Sequence, residues 1–328
     1  MKRFLFFAAA ATMFFAACQK TVVVYDNPDP QEISFLAVNK TATKAPVDGT
    51  TFPTGDKMQV AAYLASGGTA VGNYFGQTEF AKSGSYWTGG KYWPITASTI
   101  NFLAVSEPAS ASPAETTFNA TNAAQSASVE LTGNATAQYD LMYAAGQGKC
   151  SPGLYPIVDM QFRHALTWLF FTVKANVAAT VTVNSITVES TAVDGTLAID
   201  NSANYAATAD VTSSAATIGA TWAPGTKADQ TVVGTPVDCT VADQVYDFGS
   251  LLVLPTASEA KSFTINYTIK NGSDVTTYNY TYDFTSDWKM SSKYTYNITI
   301  GLNVIEIDPD VIGWTTETAS DVSLPQVP

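Results

Sequence analysis

One histidine, His164, occurs in 328 residues, so a Ser-His-Asp or Cys-His mechanism, or a histidine-rich zinc site, would depend on that single position. No pairing signal accompanies it. In Phe162-Arg163-His164-Ala165 it alternates with residues of a strand end, and the expectation is a hydrogen-bonded structural residue between two domains. G-x-S-x-G, H-E-x-x-H and Walker motifs are all missing from the sequence, and no catalytic residue, metal site or cofactor is assigned. Glu306, Asp308 and Asp310 show neither EF-hand spacing nor a glycine-bearing metal loop and read as a solvated turn. Tyr86, Trp87, Tyr92 and Trp93 around Gly89-Gly90 offer two readings: a sugar-stacking platform, or packing in a hairpin core.

The remaining chemistry is that of export. Lys2 and Arg3 precede an apolar run from Phe4 to Ala17, too short for the ~20 residues that an α-helix needs to cross a bilayer, so residues 1–17 read as a secretory signal peptide. Small residues lead into Cys18 in the manner of a bacterial lipobox, which makes Cys18 the expected acylated N-terminus. The proline-rich Asn27-Pro28-Asp29-Pro30 then reads as an extended linker,. Cys150 and Cys239 would sit in an oxidising compartment, where a bridge between them is permitted,.

These groups must be carried by strands. Charged residues make up 13% of the chain against about 25% in ordinary domains, leaving Thr, Ser and Asn to supply the polar surface. A net charge of −12 leaves no basic surface for nucleic acid. Period-two alternation is clearest towards the C-terminus, where Phe263, Ile265, Tyr267 and Ile269 face one way,. Asn271-Gly272 follows as a tight-turn pair, and Tyr278, Tyr280, Tyr282 and Phe284 return, which predicts a β-hairpin,. Tyr294 to Ile300 predicts a third strand, and Ile33 to Val38, Met58 to Leu64, Thr99 to Val105 and Val245 to Leu254 predict others. Leu166 to Val173 is apolar on both faces and predicts a central strand covered on both sides,. The Ala, Ser and Thr-rich stretches Ala109 to Ser128 and Asn201 to Ala220 read as surface loops. The fold class expected is all-β, two sandwiches in series.

Four segments, in order, resemble the fimbrillin family of Bacteroidales lipoproteins, the Mfa-like proteins that supply subunits of protease-matured (type V) pili. They are Ile33-Ser34-Phe35-Leu36-Ala37-Val38 leading to Thr43-Lys44-Ala45; Tyr92-Trp93-Pro94 with Ile100 to Val105; Tyr139 to Ala144 with Phe162-Arg163-His164-Ala165-Leu166; and Lys293 to Ile300 with Ile312-Gly313-Trp314. The resemblance implies two transthyretin-like antiparallel β-sandwich domains, residues 45–165 and 166–328, after a lipidated linker and removable first strand at 18–44. It implies an outer-membrane lipoprotein that becomes part of a cell-surface fimbria serving adhesion. Its partners would be a trypsin-like protease, the membrane lipid and other fimbrillin subunits in a homo- or hetero-polymer. The strand carrying Ile33, Phe35 and Ala37 would be cut away at Lys44 or Lys40 and replaced by a neighbour's strand. Arginine is expected at the cut, so lysine is a departure. The candidate donor is the tail 315–328, where Val322 and Leu324 have two-residue spacing,. The alternative from another class is a non-polymerising surface lipoprotein that binds glycans through the aromatics at 86–93.

Overall fold

The computed structural model describes residues 31–39, 52, 56–66, 69–107, 114–120, 125–133, 138–202, 218–232, 234, 236–301 and 305–313. The described residues contain no α-helix. The first nine strands are β1 (Glu32–Asn39), β2 (Lys57–Ser66), β3 (Thr69–Ser83), β4 (Tyr86–Tyr92), β5 (Ser98–Glu107), β6 (Ala114–Phe118), β7 (Ser126–Leu131), β8 (Met142–Cys150) and β9 (Val158–His164). The next six are β10 (Thr167–Asn176), β11 (Thr180–Ala192), β12 (Gly195–Asp200), β13 (Gly219–Pro224), β14 (Lys227–Thr231) and β15 (Val237–Cys239). Five more complete the described strands: β16 (Tyr246–Val253), β17 (Thr256–Asn271), β18 (Asp274–Trp288), β19 (Ser292–Gly301) and β20 (Ile305–Gly313).

Seven strands close a barrel in the order β1-β4-β3-β2-β5-β8-β9. The inward residues of β2 and β5, among them Met58, Val60, Ile100 and Phe102, join Phe35, Phe80 and Phe162 in the barrel interior. The alternate residues Tyr63, Leu103 and Val105 face a second cluster with Val129, Leu197 and Ile199. Both faces of these strands are therefore buried, which explains the unbroken apolar run Phe102-Leu103-Ala104-Val105,. The second cluster lies beneath a sheet of order β13-β12-β7-β6, which takes two strands from each half of the chain. A third cluster is enclosed by the sheets β16-β10-β19-β20 and β14-β11-β17-β18, with β15 added on β11.

β10 is covered on both sides as its sequence predicts. Leu169, Phe171 and Val173 enter the third cluster, while Trp168 and Leu166 belong to the second. β10 pairs in parallel with β19 and antiparallel with β16. The expected hairpin is β17–β18, but its loop is shifted by one residue. Asn271 pairs with Asp274 as the last rung, and Gly272 alone carries the positive φ, +62°, the pattern of a turn with glycine at the first central position. The loop expected over Ala109 to Ser128 instead contains β6 and the start of β7. Its small residues hide a real alternation, since Ala127, Val129 and Leu131 are buried in turn. β13 likewise begins at Gly219, inside the second expected loop.

Candidate functional site

β1 closes the barrel, and its alternation explains how. Ile33 and Phe35 are fully buried and Ala37 nearly so, while on the other face Ser34 is buried and Leu36 half-buried. Phe35 meets Phe80 and Phe102 edge-on, with ring centroids 4.9 and 5.0 Å away. One edge of β1 pairs antiparallel with β4, Phe35 opposite Trp87, with an irregularity between Glu32 and Ser34. The other edge pairs parallel with β9 from Phe35–Val158 to Asn39–Phe162. Glu32 Oε1 accepts from Gly90 N at 2.9 Å, and Gln31 O accepts from Trp93 N at 2.8 Å. Being the first described strand, β1 is joined along the chain to the remaining barrel strands through residues 40–56. Lys40 and Lys44 lie within that connection, outside the described residues, as do Cys18, Val322 and Leu324.

Phe52 carries no periodic signal in Thr51-Phe52-Pro53, and sequence reasoning misses it. It is buried beside the strand, edge-on to Trp87 at 5.2 Å and to Phe162 at 5.0 Å. Its carbonyl accepts from Lys82 Nζ at 2.5 Å. Phe52 thus holds the chain to the barrel downstream of both lysines. Phe80 and Phe102, which meet Phe35, share one interior cluster with Trp87, Met160 and Phe162.

The four aromatics of the possible sugar platform are not presented together. Trp87 and Trp93 are buried in the barrel interior and Tyr86 is buried as well, leaving Tyr92 as the one with half its surface in solvent. The ring of Trp93 occupies the space that a side chain at Gly148 would need. A stacking platform needs open aromatic faces, so packing accounts for three of the four. His164 is buried at the end of β9, its Nδ1 2.8 Å from Asp140 Oδ1. The backbone that follows is pinned from elsewhere: Trp222 Nε1 donates to Ala165 O at 2.7 Å, and Ser291 N to Leu166 O at 3.0 Å. His164 thus sits where the barrel strands hand over to β10.

Lys261 points into the third cluster, where its Nζ donates to Ser190 O at 3.0 Å, lies 3.0 Å from Glu259 Oε2 and faces the Trp288 ring. Hydrogen bonds from Lys227 and then Lys261 hold the Glu259 carboxyl below the usual range. Burial pushes the Tyr63 hydroxyl up to about 12, and burial, then Asp238, pushes the Cys239 thiol up to about 11. Cys150 and Cys239 are both buried, free thiols, in the barrel interior and the third cluster respectively. No group of three or more His, Cys, Asp or Glu side chains suited to a metal occurs among the described residues.

The fold is that of a candidate cell adhesion protein from Bacteroides uniformis, which is 19% identical, with 88% of this chain and all of that one aligned at a TM-score of 0.52. A looser likeness is to a candidate cell adhesion protein from Bacteroides ovatus, 13% identical over 88% of this chain and 99% of that one, TM-score 0.49. Another is to the fimbrial anchor protein Mfa2 from Porphyromonas gingivalis, 9% identical over 86% and 97%, TM-score 0.35. No curated protein is a match. The sequence model described as fimbrillin-like matches residues 43–314, from just after β1 to the end of the last described strand. The chain belongs to the fimbrillin-like family.

Proposed function

We propose that the chain is a structural subunit of a protease-matured cell-surface fimbria serving adhesion, exported as an outer-membrane lipoprotein acylated at Cys18. A trypsin-like protease that accepts lysine cuts after Lys44 or Lys40, β1 leaves, and a strand from another subunit, of the same or a related chain, takes its place. The observation that carries this reading is the position of β1: paired on both edges, with three side chains in the core, yet joined to the remaining barrel strands by one connection. A single cut there leaves the strand held by non-covalent contacts alone. Burial of Ile33 and Phe35 stabilises by about 1.5–3 kcal/mol each, and every backbone group left unpaired in the vacated slot costs about 1–3 kcal/mol. The emptied barrel therefore requires a donor. Phe52 would remain in place and keep the new N-terminus against the barrel.

The donor belongs to the C-terminal end. Val322 and Leu324 could drop into one groove, while Pro325 and Pro328 stop a ladder there. A longer donor starting near Ile305 is favoured by β20 being an edge strand with β19 as its sole partner among the described strands. The division into two transthyretin-like sandwiches at 165/166 belongs to the same reading. It is supported by separate interior clusters for the two halves, although the sheet of β6, β7, β12 and β13 is shared between them.

The test treats the full chain and a form ending at Trp314 with the same protease, after which removal of β1 is verified by mass. SDS-resistant ladders in the full chain alone support donation by the tail. Equal ladders in both forms would assign the donor elsewhere, and no ladder in either form after verified removal of β1 overturns strand replacement.

A further inference from the structure

The long hairpin β17–β18 ends the five-stranded sheet, and β18 is its open edge. Among the described residues β18 pairs only with β17. An open edge is a row of unpaired N–H and C=O groups, and folded proteins usually blunt it with charge, proline, a bulge or short length. The other outer strands follow that rule among the described residues. β20 carries Glu306, Asp308, Pro309 and Asp310, β16 carries Asp247 and an irregular register between Asp247 and Gly249, β6 and β14 have five residues each and β13 has six. β18 does not follow it. It runs for 15 residues without lysine, proline or glycine, its register is unbroken from Ser286 to Asp274, and Val275 to Tyr282 carries no charge at all.

The side chains on this edge repeat those one strand inward. On the outer face Asn184 Nδ2 donates to Asn266 Oδ1 at 2.8 Å, and Asn266 Nδ2 donates to Asn279 Oδ1 at 2.7 Å. The chain of amides then stops, with Asn279 Nδ2 lacking a partner among the described residues. Thr264–Thr281 at 3.1 Å and Thr268–Thr277 at 3.3 Å make like rungs on either side. On the opposite face Tyr267 stacks on Tyr278 with centroids 5.3 Å apart, and Tyr278 keeps 42% of its surface exposed. Each rung thus pairs like with like and ends at the edge with capacity for one more.

We infer that β18 is a docking edge for a second copy of this chain, the two β18 strands pairing antiparallel about a two-fold axis at Asn279. That register sets Asn279 opposite Asn279 of the second copy, Thr277 opposite its Thr281 and Tyr278 opposite its Tyr280. The aspartates avoid one another, because Asp274 falls opposite Phe284 and Asp283 opposite Val275 of the second copy. The result is one sheet continuous across two subunits, with no like charges facing each other. Pairing at β18 leaves β1 and its neighbours untouched, so it stands or falls separately from strand replacement.

The test uses the unprocessed chain carrying Cys18→Ser, so that no acyl group or processing contributes. Sedimentation equilibrium should show a reversible dimer. Thr277→Lys with Thr281→Lys places lysine opposite lysine on two rungs and should weaken it roughly tenfold or more. Thr277→Lys with Thr281→Glu places lysine opposite glutamate on the same rungs and should keep the dissociation constant within about threefold. General charge repulsion predicts the reverse order, since the double lysine change makes a negative chain less negative. Asn279→Cys should cross-link two copies through a short bis-maleimide, whereas Thr285→Cys, six positions from the axis, should not. A chain that stays monomeric at millimolar concentration, equal behaviour of the two double variants, or equal cross-linking at 279 and 285 overturns the proposal. Unchanged near-ultraviolet circular dichroism identifies variants that have folded.

Discussion

Phe35→Ala tests whether β1 is a core strand of the unprocessed molecule. Phe35 is fully buried, and its ring meets two others at interplanar angles of 75° and 82°. Phenylalanine-to-alanine changes in cores cost about 3–5 kcal/mol, and two edge-on partners, worth about 0.5–1.5 kcal/mol each, put this site near ~4 kcal/mol. With a urea dependence of about 3 kcal/mol per molar, the midpoint should fall by about 1.3 M. Leu36→Ala, one residue along on the half-buried face, should cost only ~1 kcal/mol. The assay is urea unfolding of the chain with β1 attached, followed by tryptophan fluorescence, since Trp87 sits opposite Phe35 in the ladder. Equal losses for the two variants, or a shift below about 0.3 M for Phe35→Ala, would refute the packing argument. A second consequence separates fold from assembly. If β1 is discarded on maturation, fimbriae grown from the Phe35→Ala chain should match those of the parent in SDS resistance.

His164→Leu removes the hydrogen-bond partner of buried Asp140 and should cost about 3–5 kcal/mol, whereas the double variant with Asp140→Leu should cost less than the sum of the two single changes; thermal unfolding of the four proteins checks this. Cys239, pushed from 9.0 to about 11 by burial and then Asp238, should react with a thiol reagent at pH 8 about a hundredfold more slowly than in the unfolded chain, since the thiolate is the reactive form, as measured in a Cys18→Ser, Cys150→Ser background. The raised value also sets a sign: the folded state keeps a proton that the unfolded state releases, so this stabilisation is present below about pH 9 and is lost as pH rises towards 11,.

The strands with large alternating side chains were legible because period two separates Phe263 and Ile265 from Thr264 and Asn266 without ambiguity,. β6 and β7 were not legible, because alanine and threonine give little contrast between faces, and β7 finds its partner in β12, some 70 residues away. The aromatics near 90 misled for a related reason. Sequence shows that Trp87 and Trp93 are large, but only the fold shows that Phe52 closes over one and that Gly148 makes room for the other. Of the candidate site, the strand at Ile33 to Val38 was legible from alternation, while its role as a removable strand came from the family resemblance. The closure of a barrel by parallel pairing with β9 was not legible, because it joins residues more than 120 positions apart. The self-pairing chemistry of β18 is written in its sequence, yet its position at an open edge emerges only from the strand order.

The most direct test of the central claim is N-terminal sequencing and intact-mass analysis of the protein recovered from the cell surface in fimbriae. The account predicts a chain beginning at Ala45, or at Thr41 if the cut follows Lys40, with the segment Glu32–Asn39 absent. Assembled material that begins at an acylated Cys18 and retains Ile33, Phe35 and Ala37 would contradict it.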